Sequence, residues 1–230
     1  ADGKLVRTLE DNVALRNTLS KLNVPEKEFF TFRIPEGIEL NGYMIRPADF
    51  DSTRSYPLFM VQYSGPGSQR VADSWSMGWE DVLVQQGYIV ACVDGRGTGF
   101  RGSEFKKCTY KQLGKYEVED QIAAARYLGA LPYIDSDRIG IFGWSYGGFM
   151  ALNCILKGND VFKMAIAVAP VTSWRFYDTI YTEIYNGDPN ENPSGYDDNS
   201  PINFARMLDD TKTRLLIIHG TADDNVHFQN

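Results

Sequence analysis

The chain has 230 residues, 43% of them hydrophobic and 13% aromatic, enough for one sizeable core and incompatible with a disordered or collagen-like polymer. A formal net charge of −7, with no cluster of Lys and Arg interleaved with aromatics, argues against a nucleic-acid partner. No apolar run approaches the ~18 residues of a membrane span, the first residues lack the charged and apolar regions of a signal peptide, and Cys92, Cys108 and Cys154 lack the C-x-x-C spacing of a zinc site, so neither a metal nor a disulfide framework is expected.

Beginning at Ala1 rather than Met, the chain reads as a processed or excised piece. Residues 1–24 are polar, with Val13, Leu15, Leu19 and Leu22 at loose helical spacing, and read as an arm or connector. Phe29–Ile34 and Ile38–Ile45, separated by Pro35-Glu-Gly37, predict a β-hairpin. Strands and helices then alternate. Tyr56–Tyr63 is a buried strand, a helix lies near Trp75–Gln86, Tyr88–Val93 is the next strand, and Glu117–Leu128 is a helix. Arg138–Phe142 is a short apolar strand running into an apolar helix at Phe149–Leu156. Phe162–Ala169 and Arg214–His219 are further strands, separated by a polar and aromatic insertion from Trp174 to about Asp210. Apolar strands alternating with helices predict an α/β fold, a mainly parallel sheet covered by helices on both faces, over residues 25–230.

Gly143-Trp-Ser-Tyr-Gly147 falls between the strand ending at Phe142 and the helix starting near Phe149. That is the context of a nucleophile elbow. Glycines at 143 and 147 leave no Cβ beside a sharp turn, so Ser145 can adopt a strained backbone with its hydroxyl exposed, and the helix after it aims N–H groups at a developing anion. A serine hydroxyl is a weak nucleophile, so the chemistry needs an imidazole base oriented by a carboxylate. The order Ser, acid, His places the acid in His219-Gly-Thr-Ala-Asp-Asp-Asn-Val-His227, with Asp223 as the candidate and Asp224 the alternative.

The chain holds two histidines, both beside this acid loop. His219 reads as a structural histidine donating to backbone, and His227 would require one loop to bring both acid and base to Ser145, so the triad histidine is expected outside the chain, with the break before a last strand and helix. For the oxyanion, the backbone N–H of Tyr146 is one donor. The loop Tyr63-Ser-Gly-Pro-Gly-Ser-Gln69 has no His-Gly-Gly run. Tyr63 offers a phenolic hydroxyl there, although a tyrosine at a strand end is more often a packing residue with a wet tip.

Tyr63-Ser-Gly-Pro-Gly-Ser-Gln, Asp94-Gly-Arg-Gly-Thr-Gly, Gly143-Trp-Ser-Tyr-Gly-Gly, Ala167-Val-Ala-Pro-Val-Thr-Ser-Trp and His219-Gly-Thr-Ala-Asp-Asp-Asn-Val-His-Phe-Gln, in this order, resemble the catalytic domain of the prolyl oligopeptidase family, dipeptidyl peptidase IV branch. The resemblance implies an α/β-hydrolase fold lacking its final strand and helix, Ser145 as nucleophile, Asp223 as acid, and Tyr63 with Tyr146 as oxyanion hole. It further implies a pocket for a proline ring from Val171, Trp174, Tyr177, Tyr181, Tyr146 and Val226, with Asn225 bonding a substrate carbonyl. Flat aromatic walls suit a rigid pyrrolidine, since they gain contact area without freezing many rotors. Without the resemblance, Trp174, Phe176, Tyr177 and Tyr181 read as the buried side of one amphipathic insertion helix.

The activity implied is release of N-terminal X-Pro, or less readily X-Ala, dipeptides from peptide substrates, without a cofactor. A tripeptide-releasing or broader prolyl peptidase and a non-catalytic binding homologue are the alternatives. The resemblance also implies an N-terminal β-propeller preceding residues 1–24, a homodimer for the whole enzyme, an extracytoplasmic location, and a C-terminal segment, carrying the histidine, supplied from outside these residues or by another chain. The bare chain is expected to show little turnover.

Overall fold

The computed structural model describes residues 2–22 and 24–230. Helix α1 (Val13–Leu22) forms where the loose helical spacing predicts it and buries none of its residues. The hairpin comes next: β1 (Glu28–Arg33) pairs antiparallel with β2 (Glu39–Ile45), Glu28 opposite Met44 and Arg33 opposite Glu39. Its turn closes with Gly37 donating to the Ile34 carbonyl at φ +82°, a left-handed conformation that suits glycine.

The strands β3 (Tyr56–Val61), β4 (Ile89–Asp94), β5 (Ile134–Trp144), β6 (Met164–Val168) and β7 (Arg214–Ile218) complete a seven-stranded sheet in the order β1-β2-β4-β3-β5-β6-β7. From β4 to β7 all neighbours are parallel, and β2 joins β4 antiparallel. Alternation along the strands assigns side chains to two faces. Phe59, Val61, Val90 and Cys92 pack with Val84 of α2 (Trp79–Gln85) on one face. Leu58, Met60, Ile89, Ala91, Ile139 and Ile141 pack against α4 (Tyr116–Gly129) and α5 (Tyr146–Lys157) on the other. Helix α5 has apolar side chains around its whole circumference, and all but its last residue, Lys157, are buried.

Two local expectations are revised, and one short helix is added. Helix α2 begins at Trp79, not near Trp75, because the Gly78 N–H is taken by the Asp81 carboxylate at 2.7 Å, fixing the first turn there and leaving Trp75 and Met77 exposed. A five-residue helix, α3 (Ser103–Lys107), is too short to produce a periodic signal. The insertion is not one helix. Trp174–Phe176 forms a 3-10 turn, α6 (Thr179–Asn186) begins after Asp178, whose carboxylate accepts the Tyr181 N–H at 2.7 Å, and α7 (Pro193–Asp197) and a 3-10 stretch at Pro201–Met207 complete it.

Candidate active site

Register decides which loops meet. Val61 pairs with Phe142, Trp144 with Val168, and Val168 with Ile218, so β3, β5, β6 and β7 all end along one edge of the sheet. Tyr63, Ser145, Val171 and Asp223 leave from that carboxyl edge, where open α/β sheets assemble their sites.

Ser145 occupies the turn between β5 and α5 with φ +59° and ψ −116°, a conformation strained for any residue with a Cβ. Two hydrogen bonds hold it there: its N–H donates to the Val168 carbonyl at 2.9 Å, and its carbonyl accepts the Phe149 N–H at 3.0 Å. The flanking glycines are required by contact. A Cβ on Gly143 would lie 2.0 Å from the Gly147 carbonyl oxygen, and one on Gly147 would lie 2.7 Å from the Gln62 carbonyl oxygen and 3.3 Å from the Tyr63 Cα. Close approach of the elbow to the end of β3 therefore brings Tyr63 beside the first turn of α5. The Tyr63 ring is 6.1 Å from that of Tyr146, and burial raises its phenolic pKa, keeping the hydroxyl a donor at neutral pH.

Asp223 is half-buried, and its Oδ1 accepts the N–H groups of Asn225 and Val226, both at 3.0 Å, while Asp224 is exposed. The His219 Nε2 stands 2.8 Å from the Val226 carbonyl and 3.7 Å from Asp223 Oδ2, in keeping with a histidine that braces its own loop. His227 is exposed. Among the described residues no cluster of three or more His, Cys, Asp or Glu could hold a metal ion.

The aromatic residues of the insertion converge on the elbow. Trp174 is buried, with its ring 5.6 Å from Tyr146 and 6.1 Å from Tyr181, to which it lies nearly parallel. Tyr177 and Tyr181 meet edge to face at 5.4 Å. Val171 and Val226 are buried in the same core cluster as Tyr146 and Trp174. Tyr177 donates its hydroxyl to Asn225 Oδ1 at 2.9 Å, joining the acid loop to the insertion. Phe176 departs from the amphipathic-helix reading: it lies in the 3-10 turn Trp174–Phe176 and is exposed, while Trp174 is buried.

Two polar residues that the sequence did not single out organise the site from beneath. Gln62 sits at the end of β3, and its amide donates to the Gly147 carbonyl at 2.9 Å while accepting the Ser64 hydroxyl at 3.0 Å. Glu117, fully buried in α4, accepts the Tyr146 hydroxyl on Oε1 at 2.7 Å and the Gly114 N–H on Oε2 at 3.1 Å. Burial pushes its carboxyl up to about 7 against the opposing pull of those hydrogen bonds. The available signals were spacing and context. Residues 117, 120, 121, 124, 125 and 128 form one helical face, and Gln62 interrupts an apolar strand.

A family model described as the prolyl oligopeptidase family matches residues 75–230. The dipeptidyl aminopeptidase B of Saccharomyces cerevisiae is 45% identical over 230 residues, covering 98% of this chain and 27% of the yeast protein. The crystal structure of dipeptidyl peptidase 4 from Porphyromonas gingivalis is 55% identical and superposes with a TM-score of 0.94, covering 98% of this chain and 32% of that one. The chain thus spans about a third or less of the length of these relatives, and the sheet and helices are those of an α/β-hydrolase catalytic domain. On these grounds the chain belongs to the prolyl oligopeptidase family, in its dipeptidyl peptidase IV branch.

Proposed function

We propose that this chain forms the catalytic-domain portion of a serine exopeptidase that releases N-terminal dipeptides ending in proline or, less readily, alanine. The observation that carries the reading is the elbow: a serine at φ +59°, set at the start of a buried helix beside a cluster of aromatic rings. In this reading Ser145 Oγ attacks the carbonyl carbon of the second residue, and a base takes its proton. Negative charge then develops on the carbonyl oxygen, where the Tyr146 N–H and the Tyr63 hydroxyl donate to it. Collapse of the tetrahedral intermediate expels the amine, which takes up the proton from the base, and water hydrolyses the acyl-enzyme. Asp223 orients the base, and the base is a histidine outside these 230 residues. The ring of the penultimate proline packs among Val171, Trp174, Tyr177, Tyr181, Tyr146 and Val226, and Asn225 donates an amide hydrogen to a substrate carbonyl. Residues 1–24 are a connector to a preceding domain.

The test uses the full-length protein that carries this sequence and a chromogenic Gly-Pro reporter. Ser145→Ala is expected to reduce turnover to background. Tyr63→Phe is expected to lower kcat by about 10²–10³ with little change in KM, the signature of a donor used only in the transition state. Wild-type kinetics in Ser145→Ala would overturn the mechanism. A preference for longer blocked prolyl reporters over Gly-Pro would favour the broader peptidase, and peptide binding without turnover by wild type would favour a binding homologue.

A further inference from the structure

We propose that Glu117 is a positioning residue of this site: its buried carboxylate holds the Tyr146 hydroxyl and so fixes both the pocket wall and the main-chain N–H beside Ser145. The inference rests on Ser145 being the nucleophile. Tyr146 carries two duties from one Cα. Its N–H is the oxyanion donor of the proposed mechanism, and its ring lies against Trp174 at 5.6 Å, Phe149 at 5.2 Å and Tyr63 at 6.1 Å. Packing alone would leave this ring free to slide along its neighbours. A 2.7 Å hydrogen bond at its far end removes that freedom, and with it the rocking of the peptide bearing the N–H.

The anchor is itself anchored. Glu117 Oε2 takes the N–H of Gly114, whose φ of +82° and lack of a Cβ are both needed, since a Cβ would lie 2.4 Å from the Phe149 ring and 3.2 Å from Asn199 Cβ. The segment before Gly114 is clasped to the insertion: the Lys111 N–H donates to the Tyr185 carbonyl at 2.7 Å, and Asn192 Nδ2 donates to the Lys111 carbonyl at 3.0 Å. One carboxylate therefore ties α4 and α5 to the insertion that carries Tyr181. A fully buried carboxylate is a costly way to fill space that an apolar side chain would fill more stably, which points to a purpose other than packing.

The charge state matters to this role. Ionised, Glu117 accepts from Tyr146 and Gly114 at once; a proton on Oε2 would confront the Gly114 N–H, and one on Oε1 would oblige the Tyr146 hydroxyl to turn and accept. The groups facing it are Tyr146 on α5, Tyr181 on α6, Cys108 after α3 and Asp120 on its own helix, the last turned to Arg96 at 2.6 Å. Burial favours the proton, and the two donors oppose it.

The experiment compares Glu117→Gln, Tyr146→Phe, their double variant and Ser145→Ala in the full-length protein, with kcat and KM for a Gly-Pro reporter measured from about pH 5 to 9. Each of the first two is expected to lose about tenfold in kcat/KM, and the double variant to lose no more than the worse single, because Glu117→Gln takes the charge from, and Tyr146→Phe removes, the same hydrogen bond. Tyr146→Phe, lacking the donor that favours the carboxylate, should move the acid limb of kcat/KM to higher pH, whereas Glu117→Gln should make that limb shallower by one ionisation. Wild-type kinetics in a folded Glu117→Gln, or losses that multiply in the double variant, would overturn the inference. If Glu117→Gln does not fold, an acid limb unmoved in Tyr146→Phe overturns it instead. An active Ser145→Ala protein overturns the reading of the site beneath it, so the two failures are told apart.

Discussion

At Gly143 the space for a side chain is already filled: an added Cβ would meet the Gly147 carbonyl carbon at 2.2 Å and Gln62 Nε2 at 2.6 Å, as well as the Gly147 oxygen at 2.0 Å. The contacts with Gly147 are to backbone, which cannot rotate away, and the contact with Gln62 disrupts the amide that holds the elbow to β3. Gly143→Ala is therefore expected to cost about 2–4 kcal/mol, read as a lower urea midpoint at unchanged m-value. An unchanged midpoint would mean that the turn relaxes and that Ser145 is not held under backbone constraint. This glycine was legible because G-x-S-x-G between an apolar strand and an apolar helix states a steric demand. Gln62 and Glu117 were not, since what makes them matter is a partner 85 or 29 positions away along the chain, and no local pattern carries that pairing.

Among the elements, β7 shows best what a local pattern leaves out. Arg214-Leu-Leu-Ile-Ile218 reads as a strand of a parallel sheet, and such strands are normally covered on both faces. In the structure β7 pairs with β6 along one side, and Leu216, Ile217 and Ile218 remain 51%, 51% and 48% exposed, on alternating faces. An edge strand with apolar side chains on both faces is a template for pairing with another chain. The isolated 230-residue chain is expected to associate as its concentration rises, and Leu216→Lys with Ile218→Lys to suppress this while far-ultraviolet circular dichroism stays native. Light scattering decides it, and a wild-type chain that stays monodisperse at ~100 μM would refute it. The insertion failed to read as it folds for a different reason. Aromatic residues at helical spacing predict one helix, but Asp178 offers its carboxylate to the Tyr181 N–H, and a good N-cap starts a new helix wherever it falls. The aromatic cluster beside the elbow then draws its rings from two elements, Trp174 on the 3-10 turn and Tyr181 on α6.

At the scale of the molecule, the alternation of strands and helices carried the architecture, because each parallel crossover is a local unit whose hydrophobic period is visible. The boundary of the domain is set by burial. Strand β1 is integral: Phe32 is buried, and its ring stacks on Tyr127 of α4 at 4.3 Å. Helix α1 is not, since it buries no residue, and Leu5, Val6 and Leu9 before it are exposed. A fully buried leucine contributes roughly 1.5–3 kcal/mol, and a helix of ten residues is marginal without such burial, so α1 should contribute almost nothing to the stability of the sheet and its covering helices. Removing residues 1–22 is expected to leave the thermal midpoint within about 2 °C of that of the 230-residue chain, given that 1 kcal/mol moves a domain of this size by roughly 2–4 °C. Differential scanning calorimetry of the two proteins makes the comparison, at concentrations low enough that β7 association is absent from both. A fall of more than about 5 °C would place α1 within the folding unit, through the cleft that Leu19 and Ser20 share with Trp75 and Phe29. An unchanged midpoint would leave the segment free to serve as a connector, its leucines available to a neighbour instead of to this core.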